Sequence, residues 1–254
     1  MIALKSKREI EIMRQGGRIL AAVLAALKQY VKPGLRTMDI DRKAGALIRE
    51  HGGETAFKGY RGFPANICTS VNEEVVHGIP SERRLKEGDI LSVDVGVKCK
   101  GFFTDAARTW PIGPVSKDVE RLMRVTRDSL YEAALPHLRP GFKLGDMSHA
   151  IQSFVESQGY GVVRDFVGHG IGRAIHEEPQ VPNFGRPGRG LMIEPGLVIA
   201  VEPMVTAGSH EVAILEDAWT VVTCDGKLAS HHEDTIAVTE EGPEVLTRWD
   251  GEEG

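Results

Sequence analysis

Two aspartates lie in a segment that is predicted to form a β-hairpin. Apolar and polar residues alternate over 90–97, which puts Asp94 on the polar face, and the chain then turns back towards Asp105. A two-residue loop at 99–100 would place the two acids directly opposite each other, and one at 100–101 would place them on a diagonal. Facing like charges destabilise a sheet unless the face is wet, one acid is protonated or cations lie between them. For these two acids alone, an exposed polar face is the simpler interpretation.

Three more potential metal ligands follow later in the chain. Glycines flank His169, and glycine lets a ligand approach the backbone closely. Glu202 ends the apolar run 198–201, where an unpaired charge is costly to bury. Glu233 lies on the return arm of a predicted hairpin, 219–238, whose Asp225-Gly226 pair is a strong turn signal. Carboxylates with one imidazole suit a pair of Mn, Fe or Co ions, less obviously Zn, and can bridge ions roughly 3.5–4 Å apart.

Helices and hairpins must position these side chains. The first predicted helix starts with a capping box, Ser6 to Glu9, continues with apolar residues on a helical period and ends at Pro33-Gly34. Three more helices are expected over about 37–52, 116–138 and 146–158. Mixed helices and antiparallel hairpins predict an α+β fold.

The sequence also repeats itself at one constant shift. Residues 33–40 match 140–147 in chemistry at six of eight places, and 87–94 resemble 194–202 with one inserted residue, so Asp94 corresponds to Glu202. Chance recurrence of Pro-Gly helix stops is the alternative. We interpret the chain as one catalytic domain, 1–254, built from two homologous halves of about 1–110 and 111–254, because no Ser-, Pro- or Gly-rich linker separates them.

Composition limits the classes of function. The chain has 254 residues, of which 41% are hydrophobic and 26% charged, as is typical of a globular protein. Its longest apolar run, 19–27, is far shorter than the roughly 20 residues of a membrane helix. Three widely spaced cysteines predict neither disulfides nor a CxxC metal site and fit a reducing cytoplasm. The net charge of −5 disfavours nucleic acid as a substrate.

Several motifs together resemble those of one enzyme family, the type I methionine aminopeptidases, which are M24 metallopeptidases with the "pita-bread" fold. The motifs are Val76-His77-Gly78-Ile79-Pro80, Asp94 followed by Asp105, Gly168-His169-Gly170-Ile171-Gly172, His176-Glu177-Glu178-Pro179, Glu202-Pro203-Met204 and Glu233-Asp234-Thr235. The resemblance implies two pseudo-symmetric halves with an antiparallel sheet covered by helices. It also implies removal of the N-terminal methionine from nascent proteins, with a preference for a small second residue. The short tract between His176 and Glu202 leaves no room for the helical insertion of the type II form.

The resemblance further implies roles for individual residues. Two divalent ions, Co, Mn, Fe or Zn, would be held by Asp94, Asp105, His169, Glu202 and Glu233. Water activated by the metals would attack the first peptide bond, with Glu202 as the proton shuttle. His176 would donate to the developing oxyanion, and His77 would hydrogen-bond the scissile amide. His231 and His232 match no motif and are expected to be structural.

A pocket for methionine is expected beside the metals. The positions that match the family's pocket are Phe57, Tyr60, Phe63, Cys68, His77, Ile175, His176 and Trp219. Ile175 stands where the family commonly has an aromatic residue, and Phe63 where it often has tyrosine. We therefore predict a methionine-selective pocket with an altered inhibitor preference. For the aromatic segment 57–64, simple core packing is the alternative.

The implied partners are the N-termini of nascent polypeptides, with no nucleic-acid substrate and no membrane. The resemblance also implies a monomer that acts in the cytoplasm near the ribosome. A related pita-bread peptidase with proline specificity is the main rival, although such relatives usually carry an added N-terminal domain. A non-catalytic module of the same fold is a second rival, but such modules typically lose metal ligands. A two-metal phosphoesterase is disfavoured, because no glycine-rich phosphate cradle accompanies the acids.

Overall fold

The structure is a computed structural model and describes residues 2–249. Its helices are α1 (Lys7–Tyr30), α2 (Thr37–Glu50), α3 (Lys117–Asp128) and α4 (Leu144–Ser157). Its strands are β1 (Glu54–Thr55), β2 (Cys68–Val71), β3 (Glu74–Val76), β4 (Ile90–Cys99), β5 (Phe102–Pro111), β6 (Gly161–Val162), β7 (Gly168–Gly170), β8 (Glu177–Val181), β9 (Val198–Val201), β10 (Met204–Thr206), β11 (Val212–Ile214), β12 (Val221–Thr223), β13 (Ala229–His231), β14 (Glu233–Thr239) and β15 (Gly242–Val245).

All four predicted helices form close to their predicted bounds. The capping box of α1 is present: Ser6 accepts a hydrogen bond from the Glu9 N–H, and the Glu9 carboxylate accepts one from the Ser6 N–H. The third helix is less regular than predicted. Only Lys117–Asp128 is α-helical, and the chain continues as a π-turn (Ser129–Ala134) and a 3₁₀ turn (Leu135–His137) that contains the helix breaker Pro136. Within residues 2–249, no helix is both long enough and apolar enough to cross a membrane.

A nine-stranded antiparallel sheet joins the two halves of the sequence. Its central order is β1-β4-β5-β14-β9-β7-β8, with β2 beside β4 and β15 beside β14. Helices α1 and α2 pack on the first-half strands through one apolar cluster, and α3 and α4 pack on the second-half strands through another. The predicted α+β class, with helices covering an antiparallel sheet, is confirmed.

The backbone repeats the internal symmetry seen in the sequence. An isolated bridge joins Arg36 to Arg84 in the first half, and one joins Lys143 to Met192 in the second. Glycines with positive φ recur at matching places, as in Gly34 (φ 89°) and Gly141 (φ 96°). Each of these glycines precedes a helix that packs on its own half of the sheet, so the two halves are pseudo-symmetric.

The hairpin that carries the two aspartates forms with the second of the two possible loops. Lys100 (φ 48°) and Gly101 (φ 83°) make the turn, and Cys99 pairs with Phe102. Asp105 therefore lies opposite Gly96, on a diagonal from Asp94.

The predicted hairpin over 219–238 is wrong, although its turn is present. Asp225 accepts hydrogen bonds from the Ser209 and Lys227 N–H groups, as a turn aspartate does. The two arms then diverge, because β12 pairs with β11 and β3 whereas β13 pairs with β10. Local turn chemistry was correctly read, but strand pairing was decided by the distant partners of each arm.

Candidate metal centre and active site

The five candidate ligands come from neighbouring strands and line one cavity. The strands stand in the order β4-β5-β14-β9-β7, and Glu202 immediately follows β9. The cavity has a volume of about 140 Å³. The ligands that line it are Asp94, Asp105, His169, Glu202 and Glu233.

Strand register explains why the carboxylates converge. Ala107 pairs with Asp94 on one side and with Glu233 on the other, so these two acids lie on either side of a small methyl group. Asp105 is two residues before Ala107 and shares its face of the sheet. Glu202 follows Val201, which pairs with Asp234, so Glu202 lies next to Glu233. One face of the sheet thus collects all four acids.

The Thr235 side chain links the strands of the two halves, β14 and β5, beside these ligands. The ladder between β5 and β14 has the pairs Glu233–Ala107 and Asp234–Ala106. Beyond them, the Thr235 hydroxyl accepts from the Asp105 N–H at 2.8 Å and donates to the Asp105 carbonyl at 2.9 Å. Thr235 therefore ties the backbone of one candidate ligand to the strand that carries another.

The donor set fits divalent cations. One ligand atom from each of Asp105, His169 and Glu233 lies within 4.8 Å of the others, and His169 Nε2 is 3.7 Å from a Glu202 oxygen. Buried carboxylate oxygens of Asp94, Asp105 and Glu233 have no hydrogen-bond partner among residues 2–249. Buried charges are normally paired or bound to metal, so the cluster fits the two-ion hypothesis.

The pKa values of the acids show the electrostatic cost of the cluster. Burial raises the pKa of Asp94 to about 6. Burial and the charge of Asp94 hold the pKa of Asp105 far above its usual range, and burial with the charge of Asp105 does the same for Glu233. Burial also favours a raised pKa for Glu202, but the imidazoles of His231 and His169 outweigh it and leave that pKa below its ordinary value. A cation among these groups would relieve the repulsion.

His231, for which a structural role is expected, lies beside two of the candidate metal ligands. Its Nε2 atom is 3.5 Å from a Glu202 oxygen and 3.9 Å from a Glu233 oxygen, and its side chain is buried. With those two acids it forms a second group of donor atoms that could hold a metal ion. Period-two alternation could have found it, because residues 231 and 233 of one extended segment share a face.

His232 points to the opposite face, where it belongs to a buried polar network. Its Nε2 atom is 3.2 Å from the Tyr131 hydroxyl, which donates to Asp234 at 2.7 Å. Arg108 pairs with Asp234 at 2.9 Å and also donates to the Glu233 carbonyl. This network holds the backbone of Glu233 from behind, so the structural interpretation of His232 agrees with its position.

The two candidate catalytic histidines line the same cavity and are neutral at pH 7. Burial lowers the pKa of His77, whose ring makes edge contacts with Phe166 and Trp219. Burial and the neighbouring His169 lower the pKa of His176 to about 4. A neutral imidazole still carries one N–H donor, so either ring could bind a peptide carbonyl without a positive charge.

The aromatic candidates line the same cavity as the acids and contact neighbouring rings. Phe63 makes edge contacts with Phe57 at 6.5 Å and with Trp219 at 5.0 Å between ring centroids. Tyr60 stacks on His176 at 5.1 Å. Cys68 pairs with Asp94 across the sheet, and burial raises the pKa of its thiol well above the usual value. All of these residues line the cavity.

Two further residues bear on the predicted pocket. Ile175 does not itself line the cavity but is buried in the same apolar cluster as the cavity residues Phe57, Phe63 and Cys68. Arg61 does line it, with its guanidinium over the Tyr60 ring and its backbone in the left-handed region (φ 47°). A lone arginine in a loop carries no sequence signal for such a position.

The comparison with known families defines the class of protein. The model of the metallopeptidase family M24 matches residues 11–240, a span that includes all five candidate ligands. The chain therefore belongs to metallopeptidase family M24.

Relatives that match over nearly the whole length of the chain show which type of M24 protein it is. It is 51% identical over 247 residues to a methionine aminopeptidase of Clostridium perfringens, covering 97% of this chain and 99% of that protein. It is 50% identical over 248 residues to methionine aminopeptidase 1 of Bacillus subtilis, covering 98% and 100%. The crystal structure of methionine aminopeptidase from Thermotoga maritima matches with a TM-score of 0.96 and 44% identity over 98% of this chain and 100% of that one. The resemblance drawn from the motifs is confirmed: within M24, the chain is of the methionine aminopeptidase type.

Proline-specific relatives share the fold alone. Prolidase from Pyrococcus furiosus matches with a TM-score of 0.78 at 21% identity, and the match covers 97% of this chain but 66% of that one. The predicted pita-bread fold is thus confirmed, whereas the proline-specific rival has much weaker support.

Proposed function

We propose that this chain removes the N-terminal methionine from nascent polypeptides as a two-metal aminopeptidase. The observation that carries the proposal is the convergence of four buried carboxylates and His169 on a cavity that aromatic side chains also line. The identity of about half of all residues with methionine aminopeptidases over the whole length supports the same reaction.

Two divalent ions, Co, Mn, Fe or Zn, would be held by Asp94, Asp105, His169, Glu202 and Glu233. Asp105 and Glu233 are on adjacent strands, β5 and β14, and Asp94, Glu202 and His169 lie on or beside the strands on either side of them, so all five side chains could contribute to holding the ions. When bound, the ions would lower the pKa of water and polarise the peptide carbonyl. Mixed carboxylate and imidazole donors do not select one metal among these four.

The protein's own groups would move the protons and orient the peptide. Glu202 has a pKa below its ordinary value, so it is ionised and can take a proton from water and pass it to the leaving amine. His176 is neutral and can donate its N–H to the carbonyl oxygen as negative charge develops there. His77 lines the same cavity, with its ring against Trp219, and can hydrogen-bond the scissile amide.

The aromatic residues of the cavity would select the side chain. Phe57, Tyr60, Phe63 and Trp219 enclose an apolar slot, and a thioether makes favourable contacts with aromatic rings. An unbranched methionine side chain fits a narrow slot better than the branched leucine side chain.

Cleavage of Met-Ala-Ser and Leu-Ala-Ser by the metal-loaded chain tests this proposal. We expect methionine to be released at least roughly tenfold faster than leucine, which is the size of discrimination an apolar pocket supplies. Equal rates would contradict the specificity, and cleavage of Ala-Pro in preference to both would favour the proline-specific rival. A Glu202→Gln variant should be inactive, and full activity after exhaustive chelation would contradict the role of the metals.

The remaining partners and settings are also proposed. A small second residue is expected to be preferred, which a Met-Ala-Ser against Met-Leu-Ser comparison tests. We propose that the chain acts as a monomer in the cytoplasm near the ribosome, with no nucleic-acid substrate. Because β5 of the first half pairs with β14 of the second, we also propose that 1–254 is a single catalytic domain.

A further inference from the structure

A buried ion pair joins the segment before α1 to the hairpin of β7 and β8, which carries His169. Lys5 precedes the helix cap Ser6, and its N–H donates to the Gly196 carbonyl at 2.7 Å. Its side chain is only 5% exposed, and Nζ lies 2.6 Å from a carboxylate oxygen of Glu177, itself 17% exposed. A lysine is rarely so buried unless it is paired, so the contact with Glu177 is what permits this position.

Glu177 in turn holds the loop that ends in His176. Strands β7 and β8 form a hairpin in which Gly170 pairs with Glu177. One Glu177 oxygen faces Lys5, and the other accepts the Ala174 N–H at 3.0 Å. Burial would raise the pKa of Glu177, but these hydrogen bonds outweigh it, so the carboxylate is ionised. One Glu177 oxygen therefore holds the short loop between His169 and His176 directly, and the other ties that loop to Lys5.

A glycine makes room for the ion pair against that loop. A Cβ atom on Gly172 would lie 2.4 Å from Lys5 Cε and 3.1 Å from a Glu177 oxygen. The Gly172 carbonyl also accepts the Phe103 N–H at 2.7 Å, two residues before Asp105. The loop is thus packed between the ion pair and the strand that carries a candidate metal ligand.

His176 depends on its backbone for position. Among residues 2–249, its ring is contacted by other rings, Tyr60 at 5.1 Å and His169 at 4.2 Å between centroids, rather than by hydrogen bonds. Ring contacts restrain the plane of an imidazole but let it slide, and a displacement of 1 Å can cost roughly a hundredfold in rate. Whatever anchors the backbone at 176–177 therefore decides where the His176 N–H points.

We infer that Lys5 and Glu177 are positioning residues for His176, so that the segment before α1 is part of the catalytic apparatus. This inference rests on the proposed function, in which His176 donates to the oxyanion. Neither residue touches the substrate; each acts through the loop.

The test is a mutant cycle on the metal-loaded full chain with Met-Ala-Ser as substrate. We expect Lys5→Met to lower kcat about tenfold and to change KM less than about twofold. The peptide still binds, but the His176 N–H is no longer held in position to donate to its carbonyl oxygen. In a His176→Ala background, the same Lys5→Met change should alter kcat less than about twofold. Glu177→Gln keeps an oxygen that can accept the Ala174 N–H, so it should lower kcat in the same way as Lys5→Met but by a smaller factor.

A second ion pair supplies the matched control. Arg14 of α1 pairs with Glu244 of β15 at 2.6 Å, and neither residue lines the cavity. The Arg14 pair is more exposed (28% and 36%, against 5% and 17% for Lys5 and Glu177), so Arg14→Met should lower the melting temperature less than Lys5→Met, and it should leave kcat unchanged. Metal content, measured in every variant, should equal that of the wild type.

Each result decides the question. Equal losses of kcat in the wild-type and His176→Ala backgrounds, or an unchanged kcat in both Lys5→Met and Glu177→Gln, overturn the inference while the aminopeptidase activity of the wild type stands. If Lys5→Met fails to fold, the Glu177→Gln cycle gives the same decision. Failure of the wild type to release methionine overturns the proposed function itself, and the inference with it.

Discussion

In the metal-free protein, the contribution of Asp94 to stability should fall as pH rises, because its carboxyl is buried among other acids. Its pKa is raised from 3.8 to about 6 by burial and the Glu202 charge, which outweigh the opposing effect of His231. Between these two values the folded chain holds a proton that the unfolded chain has released. Stability from this group therefore falls as pH rises from about 4 to 6 and stays low above that.

The magnitude follows from the shift. A raise from 3.8 to about 6 corresponds to roughly 3 kcal/mol lost from the free energy of unfolding by neutral pH. His176 acts in the opposite direction: its pKa is lowered from 6.5 to about 4, so its contribution to stability grows as pH rises through the same window. The pH dependence of the wild type alone therefore mixes two effects of similar size.

A variant separates them. Asp94→Asn removes the ionisation but leaves His176 in place, so the difference in unfolding free energy between variant and wild type reports Asp94 together with the neighbouring acids, Asp105 and Glu233, whose pKa values its charge raises. In urea unfolding of chelated protein, this difference should shift in favour of the variant by roughly 2–3 kcal/mol between pH 4 and pH 7.5. Adding divalent metal at pH 7.5 should stabilise the wild type more than the variant. A difference that does not change with pH would show that Asp94 is ionised in the metal-free fold and refute the reasoning.

Three further predictions test other parts of the structure. His176→Ala should lower kcat/KM for Met-Ala-Ser by roughly 10²–10³, the usual loss of one oxyanion donor, with metal content unchanged by atomic absorption. His231→Ala should weaken metal binding measured by calorimetry, because this imidazole lies 3.5 Å from Glu202, and unchanged affinity would restore the structural interpretation. Gly17→Ala should cost roughly 1–3 kcal/mol in denaturant unfolding, since a Cβ there would lie 2.0 Å from the Leu246 carbonyl oxygen, while unchanged stability would mean that the helix can shift without cost.

Much of the scaffold could be predicted because its signals are local. The capping box at Ser6 and the Pro-Gly stop at 33–34 fixed both ends of α1, and period-two alternation over 90–97 identified β4. The loop at 100–101 remained ambiguous, because either loop satisfies the alternation; the positive φ of Lys100 and Gly101 in the structure decides it. The Asp225-Gly226 turn shows the limit of local chemistry, since its arms find partners elsewhere.

The candidate site was predicted through a resemblance rather than through the residues alone. Spacing along the chain cannot show that Asp94 and Glu233 meet across Ala107, because this contact depends on the pairing of β5 with β14. His231 was missed for a different reason. It matches no motif, and only the period-two alternation of the extended segment places it beside Glu233.

The two pseudo-symmetric halves of the fold contribute different donor types to the candidate metal site. In the first half, Ser70 of β2 pairs with Ser92 of β4; at the matching place in the second half, His169 of β7 pairs with Ala200 of β9. The Ser70 hydroxyl accepts a hydrogen bond from the Gly78 N–H instead of facing the acids. The first half therefore supplies carboxylates alone, whereas the second adds an imidazole, a donor that favours borderline ions over hard ones. The two pseudo-symmetric halves therefore contribute different donor types to one cavity, and neither half alone contains the full set of five candidate ligands.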